Sequence, residues 1–134
     1  MRDFPSIVLD TNALIALFDG AESVAQRLFA AERVLVPAIV CGEIDVGCTG
    51  ETKRERAARD AFEKFLALPH VVVVPISRRT AFYYARVYNF CRSCGTPIPT
   101  NDLWIAASAL ELGSPLLTND RHLLSLPLLL VQRF

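Results

Sequence analysis

Residues 7–18 read IVLDTNALIALF, and this stretch predicts the first strand and helix of the chain. Residues 7–9 form a short unbroken apolar run, as expected of a strand that is buried on both faces. Asp10 or Thr11 can cap the apolar helix predicted over 13–18, because both side chains accept hydrogen bonds from free backbone N–H groups. A buried strand that leads directly into a helix is typical of an α/β domain with a parallel sheet.

The same alternation of strands and helices continues along the chain. Further strands are predicted at 34–36, 71–74, 116–117 and 128–131, the last at a sheet edge because a proline precedes it. Further helices are predicted at 21–31, 38–46, 51–68, 77–92 and 102–112, and a short helical turn at 119–124. Pro37 is expected in the first turn of the helix at 38–46, and Asn101 and Gly113 are expected to cap and end the helix at 102–112. We therefore predict one α/β domain over 1–134, with helices covering both faces of a mostly parallel sheet of four to five strands.

Four acidic residues stand where such a sheet places functional sites. Asp10 and Asp120 each follow a predicted strand, and the carboxyl ends of parallel strands share one edge. Asp102 lies in the first turn of a helix, where capping or the helix dipole would also explain it. Glu43 lies inside an apolar helix without a nearby lysine, and a buried carboxylate without a partner is costly. Together the four predict a site for Mg²⁺ or Mn²⁺, which prefer oxygen ligands. Neutral oxygens are supplied nearby by Asn12 and Thr118.

The charge composition permits nucleic-acid binding without specifying it. The formal net charge is zero, from 14 basic and 14 acidic residues. If the four acids hold a metal ion, 10 acidic residues remain against 14 basic ones, 12 of which are arginine, the side chain best suited to bidentate phosphate contacts. No apolar run is long enough to cross a membrane, so we expect a soluble cytoplasmic protein.

The segment 77–94 combines four arginines and five aromatic residues with no acidic residue. At helical spacing Arg79, Tyr83 and Arg86 are near neighbours, whereas Phe82 is expected to lie towards another side. Basic grooves with aromatic side chains bind single-stranded RNA, so the first three are candidate RNA contacts. A core helix with a solvated basic face is the alternative interpretation.

The cysteines have an ordinary interpretation. Cys91 and Cys94 show the C-x-x-C spacing of zinc and redox sites, but Cys41 and Cys48 are too widely spaced to complete a zinc site. A redox pair should open a helix, whereas this pair closes one. We interpret all four as thiols in a reducing compartment.

Three segments in chain order resemble the PIN-domain family, especially its VapC toxins. They are LDTNALIALF (9–18), VPAIVCGEIDVG (36–47) and IPTNDLWIAASALELGSPLLTNDRHL (98–123). The resemblance matches Asp10, Glu43, Asp102 and Asp120 to the family's metal-binding acids, and Asn12 and Thr118 to their polar neighbours. Leu123 departs from the pattern, since an aromatic residue is common there.

The resemblance implies a PIN-like three-layer α/β/α sandwich and a Mg²⁺- or Mn²⁺-dependent endoribonuclease that leaves 5′-phosphate and 3′-hydroxyl ends. It further implies a cognate VapB-like antitoxin and a homodimer. The chain lacks a histidine pair for metal-free cleavage through the 2′-hydroxyl, and we interpret His70 and His122 as structural. Whether one or two metals act stays open, as does which acid accepts a proton, with Asp120 a candidate. The alternative function is a catalytically silent PIN scaffold that binds RNA or a partner.

Overall fold

A five-stranded parallel sheet organises the computed structural model, which describes residues 5–134. Its strand order is β3-β2-β1-β4-β5, and every neighbouring pair is parallel. Val8 and Leu9 of the central strand are fully buried, and because successive side chains point to opposite faces, both faces of the sheet are covered. The strands are β1 Ser6–Leu9, β2 Arg33–Pro37, β3 Val71–Val74, β4 Leu116–Thr118 and β5 Val131–Arg133.

Seven helices connect and cover these strands. The α6 helix is the most deeply buried, with small side chains such as Ala106 and Ala107 that allow close packing. It ends at Gly113, whose φ of 63° is the left-handed conformation that favours glycine at a helix end, as predicted. The helices are α1 Thr11–Phe18, α2 Glu22–Ala30, α3 Ala38–Val46, α4 Lys53–Leu66, α5 Arg78–Ser93, α6 Thr100–Leu112 and α7 Arg121–Leu124.

The element boundaries differ from the predicted ones at three places. Pro37 pairs with Val74 at the end of β2 instead of opening α3, because its ψ of 143° is extended. Asn101 does not cap α6, which already begins at Thr100 because Pro99 provides the entry into the helix. The last strand is short and starts only at Val131, because the chain first turns at 126–129, where the N–H of Leu129 donates to the carbonyl of Leu126. Leu126 and Leu129 pack into the core, whereas Leu128 and Leu130 are exposed.

No helix between residues 5 and 134 is long and apolar enough to cross a membrane.

Candidate metal centre at the carboxyl edge of the sheet

Two of the predicted site acids follow the two central strands of the sheet. Asp10 comes directly after β1, and Asp120 follows β4, which pairs with β1. The chain builds the sheet outward from β1 to β3 on one side and then crosses to β4 on the other. Open α/β sheets form a crevice at the carboxyl ends of the strands at such a reversal.

Asp10 is buried and held by two hydrogen bonds. Its Oδ1 accepts from the backbone N–H of Thr11 at 2.8 Å, so it caps α1 as predicted. Its Oδ2 accepts from the Thr118 hydroxyl at 2.6 Å. The same hydroxyl oxygen accepts from the backbone N–H of Asp120 at 3.0 Å. Thr118 therefore joins the ends of β1 and β4 and fixes the orientation of the Asp10 carboxylate.

Glu43 reaches this edge from α3, the helix that follows β2. Its Oε1 accepts a hydrogen bond of 2.6 Å from the Thr11 hydroxyl. The side chain is half-buried, and its partner is a neutral hydroxyl instead of a cation. Thr11 was predicted only as a helix cap and this bond was missed, because a contact across 32 positions leaves no local pattern in the sequence.

Asp102 and Asp120 form the most closely spaced group, together with His122. Asp120 caps the short α7 helix by accepting from the backbone N–H of His122 at 2.7 Å. The His122 Nδ1 lies 3.3 Å from the Asp120 Oδ1 and 3.7 Å from the Asp102 Oδ2. One ligand atom from each of the three residues lies within 4.8 Å of the others. The interpretation of His122 as purely structural does not account for its contact with both carboxylates.

Burial and the charges of neighbouring acids raise the pKa of two of the four acids, Asp10 and Asp102. Burial and then the charges of Asp120 and Asp10 raise the pKa of Asp102 to about 6, against a smaller opposing effect of His122. Burial also raises the pKa of Asp10, partly offset by its bonds from Thr118 and Thr11. Within residues 5–134, no lysine or arginine forms an ion pair with any of the four acids. The donor set is therefore one that a divalent cation would stabilise.

Comparison with known proteins decides the family. Residues 7–127 match the PIN domain family. The chain belongs to the PIN-domain family. This PIN domain is 33% identical over 118 residues to the protein named ribonuclease VapC1 of Haemophilus influenzae strain R2866, covering 84% of this chain and 85% of that protein. The resemblance predicted from the three sequence segments is confirmed.

Solved structures share the fold of this PIN domain. The structure of VapBC-1 from nontypeable Haemophilus influenzae superposes with a TM-score of 0.82 at 26% identity, covering 96% of this chain and 97% of that chain. VapBC-5 from Mycobacterium tuberculosis gives a TM-score of 0.74 at 28% identity, covering 97% and 98%. VapBC2 from Rickettsia felis, bound to a DNA fragment, gives a TM-score of 0.85 at 22% identity, covering 96% and 98%, which supports the fold alone. The predicted PIN-like α/β architecture is confirmed.

The predicted RNA-contact residues of this PIN domain lie away from the acids. Tyr83 and Arg86 line a groove of about 590 Å³ that reaches Leu110, near the end of α6 opposite Asp102. Eight residues of helix separate Leu110 from Asp102, or about 12 Å along the axis. Arg79 is exposed and lies still further along α5, beside Thr80, which bonds to Glu111 at the far end of α6.

Phe82 was predicted to lie on a different side of the helix from Tyr83 and Arg86, and this prediction is wrong. The Arg86 guanidinium carbon lies 4.7 Å from the centre of the Phe82 ring, and Phe82 lines the same groove as Tyr83. Residues four positions apart on a helix are neighbours, so Phe82 and Arg86 share one side.

A second groove, of about 650 Å³, shares His122 with the acidic centre. It is lined by His122, Arg121 and Ser125 of the α7 region, and by Phe90 and Thr96 across from them, among other residues. Since His122 also contacts Asp102 and Asp120, this groove opens beside the acidic centre. It was not predicted from the sequence, although the charged sequence Asp120-Arg121-His122 was a usable signal.

Asn12 and the four cysteines of the PIN domain contribute little to the acidic centre. Asn12 is exposed on the first turn of α1, and its side chain makes no hydrogen bond within the described part of the chain. Cys91 is buried, whereas Cys94 is exposed, and all four cysteines are free. Burial raises the pKa of the Cys91 thiol, which disfavours the thiolate that metal binding and redox chemistry require.

Proposed function

We propose that the chain is a metal-dependent endoribonuclease and the toxin of a toxin–antitoxin pair. The observation that carries this proposal is the convergence of Asp10, Glu43, Asp102 and Asp120 on one sheet edge without a lysine or arginine partner in residues 5–134. We assign the four acids as ligands of Mg²⁺ or Mn²⁺. Kinship with a protein named ribonuclease VapC1 supports RNA as the substrate.

The chemistry divides between the ion and the chain. A divalent cation supplies a water nucleophile at neutral pH and offsets the charge that develops on the phosphoryl group. Asp10 stays fixed by Thr118 and Thr11, so this part of the centre is preorganised before RNA arrives. Asp120 is the candidate acceptor of the proton that the attacking water loses. Water attacks the phosphorus and the P–O3′ bond breaks, so the phosphate stays on the 5′ end of one product and the 3′ oxygen leaves as the hydroxyl of the other.

RNA reaches the centre across a surface that extends beyond the acids. Arg79, Tyr83 and Arg86 are proposed contacts for a distant part of the strand. Tyr83 and Arg86 line a groove near the far end of α6, and Arg79 is exposed further along α5. The groove beside His122 is close enough for nucleotides next to the cleaved bond, and Arg121 there offers a cationic side chain.

A cognate VapB-like antitoxin is the proposed protein partner, and the solved relatives named VapBC support this. Exposed apolar side chains lie on the two helices that begin beside the centre, since Ile15 lies one turn after Thr11 on α1 and Val46 nearly one turn after Glu43 on α3. Both side chains are exposed, as is Phe18. An antitoxin segment over these side chains would cover the centre. A homodimer and a cytoplasmic location complete the proposal, and sedimentation equilibrium of the purified chain tests the former.

Cleavage of a defined single-stranded RNA by the purified chain tests the proposed function. We expect cleavage with Mg²⁺ or Mn²⁺, none with EDTA, and product 5′ ends that ligate without prior phosphorylation. Asp10→Asn and Asp102→Asn should each abolish cleavage. Asp60→Asn, which changes an exposed aspartate of α4, should not. RNA binding without cleavage by the wild type would instead favour the silent scaffold.

A further inference from the structure

The imidazole of His122 is placed as a metal ligand would be. Its Nδ1 lies 3.3 Å from the Asp120 Oδ1 and 3.7 Å from the Asp102 Oδ2. The backbone of His122 is tied to the same Asp120 oxygen by its N–H at 2.7 Å. The His122 side chain keeps an exposed fraction of 37%.

These distances are longer than a hydrogen bond and close to the spacing of ligands around one ion. An N–H···O hydrogen bond usually spans about 2.7–3.2 Å, and both contacts exceed that range. Around an octahedral ion with bonds of about 2.1 Å, neighbouring ligands lie about 3.0 Å apart and opposite ones about 4.2 Å. Both measured distances fall between these limits. Ligand atoms of Asp102 and Asp120 lie within 4.8 Å of each other, so a single ion can contact all three side chains after small rotations.

The donor types also bear on which ion fits. Carboxylate oxygens suit Mg²⁺ and Mn²⁺ alike, whereas imidazole nitrogen suits first-row transition metals better than it suits Mg²⁺. A centre with acids alone would discriminate little between the two ions. One nitrogen ligand shifts the preference towards the transition metal.

We infer that His122 binds the catalytic ion directly through Nδ1, and that this nitrogen ligand makes the centre prefer Mn²⁺ to Mg²⁺. The inference rests on the proposed function, since it assigns one more ligand to the same ion. It also assigns His122 a role that neither helix capping nor packing provides, because its backbone N–H alone makes the capping bond.

Electron spin echo envelope modulation of the Mn²⁺-loaded protein tests the inference directly. The chain has two histidines, and His70 precedes β3 at the opposite edge of the sheet from the acids. We expect ¹⁴N modulation of the Mn²⁺ signal in wild type and in His70→Gln, replaced by a ¹⁵N pattern after ¹⁵N-histidine labelling. His122→Gln should lose the modulation. The labelled wild type needs no substitution, so the result does not depend on a variant that folds.

Calorimetric titration with each ion gives the second readout. His122→Gln should weaken Mn²⁺ binding by about 10-fold or more, and Mg²⁺ binding by a clearly smaller factor. One outcome would overturn the inference and leave the proposed function standing: wild type binds Mn²⁺, Asp102→Asn does not, and the bound Mn²⁺ shows no coupling to a histidine nitrogen. Wild type that binds Mg²⁺ but not Mn²⁺ would overturn the inference alone, and wild type that binds neither ion would overturn both.

Discussion

Thr118 has more influence on the centre than its neutral side chain suggests. It is fully buried at the end of β4, donates to Asp10 and accepts from the backbone of Asp120. Two of the four acids thus depend on one hydroxyl for their orientation. Side chains that orient metal ligands commonly change metal affinity when they are replaced.

Thr118→Val should weaken Mn²⁺ binding by roughly 10- to 100-fold, because valine keeps the shape and removes the hydroxyl. Thr118→Ser, which restores the hydroxyl, should return most of the affinity. Calorimetric titration measures both variants, and circular dichroism verifies that they fold. Wild-type affinity in Thr118→Val would show that Asp10 needs no such support.

Asp102 carries the clearest electrostatic signature among the acids. Its pKa rises from an ordinary value of 3.8 to about 6 in the folded chain, so the native state holds its proton more tightly than the unfolded state does. The free energy of unfolding without metal therefore falls as the pH rises between about 4 and 6. For a shift of this size the loss is on the order of 3 kcal/mol.

Asp102→Asn should remove this pH-dependent loss in the free energy of unfolding, because asparagine does not ionise. Without metal, the variant should gain stability over wild type as the pH rises from 4 to 6, and keep the gain at pH 7. Urea unfolding in EDTA at several pH values measures the difference, with Asp60→Asn as the control. A variant less stable than wild type at pH 7 would instead assign Asp102 an ordinary structural role.

Among the elements, the antiparallel α5 and α6 helices keep the proposed RNA contacts apart from the acids. α6 presents Asp102 at its start, and its far end is joined to the start of α5 through the hydrogen bond from Thr80 to Glu111. The start of α5, with Arg79, therefore lies away from the acids, whereas Phe90 near its end lines the groove beside His122. The central strands and the cap by Asp10 could be predicted, because they depend on local apolar runs and helix signals.

Arg79→Ala combined with Arg86→Ala should weaken RNA binding and lower its salt dependence by about 0.7 for each phosphate that the protein no longer neutralises. Metal affinity should not change, since both arginines lie far from the acids. The measurement uses fluorescence anisotropy of labelled RNA at several salt concentrations, in the Asp102→Asn background so that no RNA is cleaved.

Arg33→Ala combined with Arg54→Ala is the matched control, because it removes the same charge from exposed positions on β2 and α4. An equal salt dependence in the two double variants would contradict RNA docking on α5. The basic face of α5 would then be available for the antitoxin or a second copy of the chain.

At the scale of the whole molecule, the sheet order decides where the acids meet. β1 and β4 are neighbours although more than a hundred residues separate their pairing positions. Asp10 and Asp120 lie close together because the chain, after β3 on one side of β1, returns to place β4 on the other side. Parallel topology made this meeting predictable. The ring position of His122 and the Thr11–Glu43 bond were not predictable, since they depend on side-chain packing between distant elements.

Metal binding should stabilise the whole fold because it relieves the repulsion among the acids. At an Mn²⁺ concentration of about 100 times the Kd, the gain is about 2.7 kcal/mol. For a chain of this length that corresponds to a rise in Tm on the order of 10 °C. Thermal unfolding by circular dichroism, with and without Mn²⁺, should show the rise in wild type and a much smaller one in Asp102→Asn.

The central claim is that the four acids form one divalent-cation site at the carboxyl edge of the sheet. Anomalous diffraction from crystals of the chain grown with Mn²⁺ measures this directly. We predict an Mn²⁺ peak in the acidic centre, within bonding distance, about 2.1 Å, of carboxylate oxygens from Asp102 and Asp120. Crystals with full access to Mn²⁺ and no anomalous peak in this centre would contradict the claim.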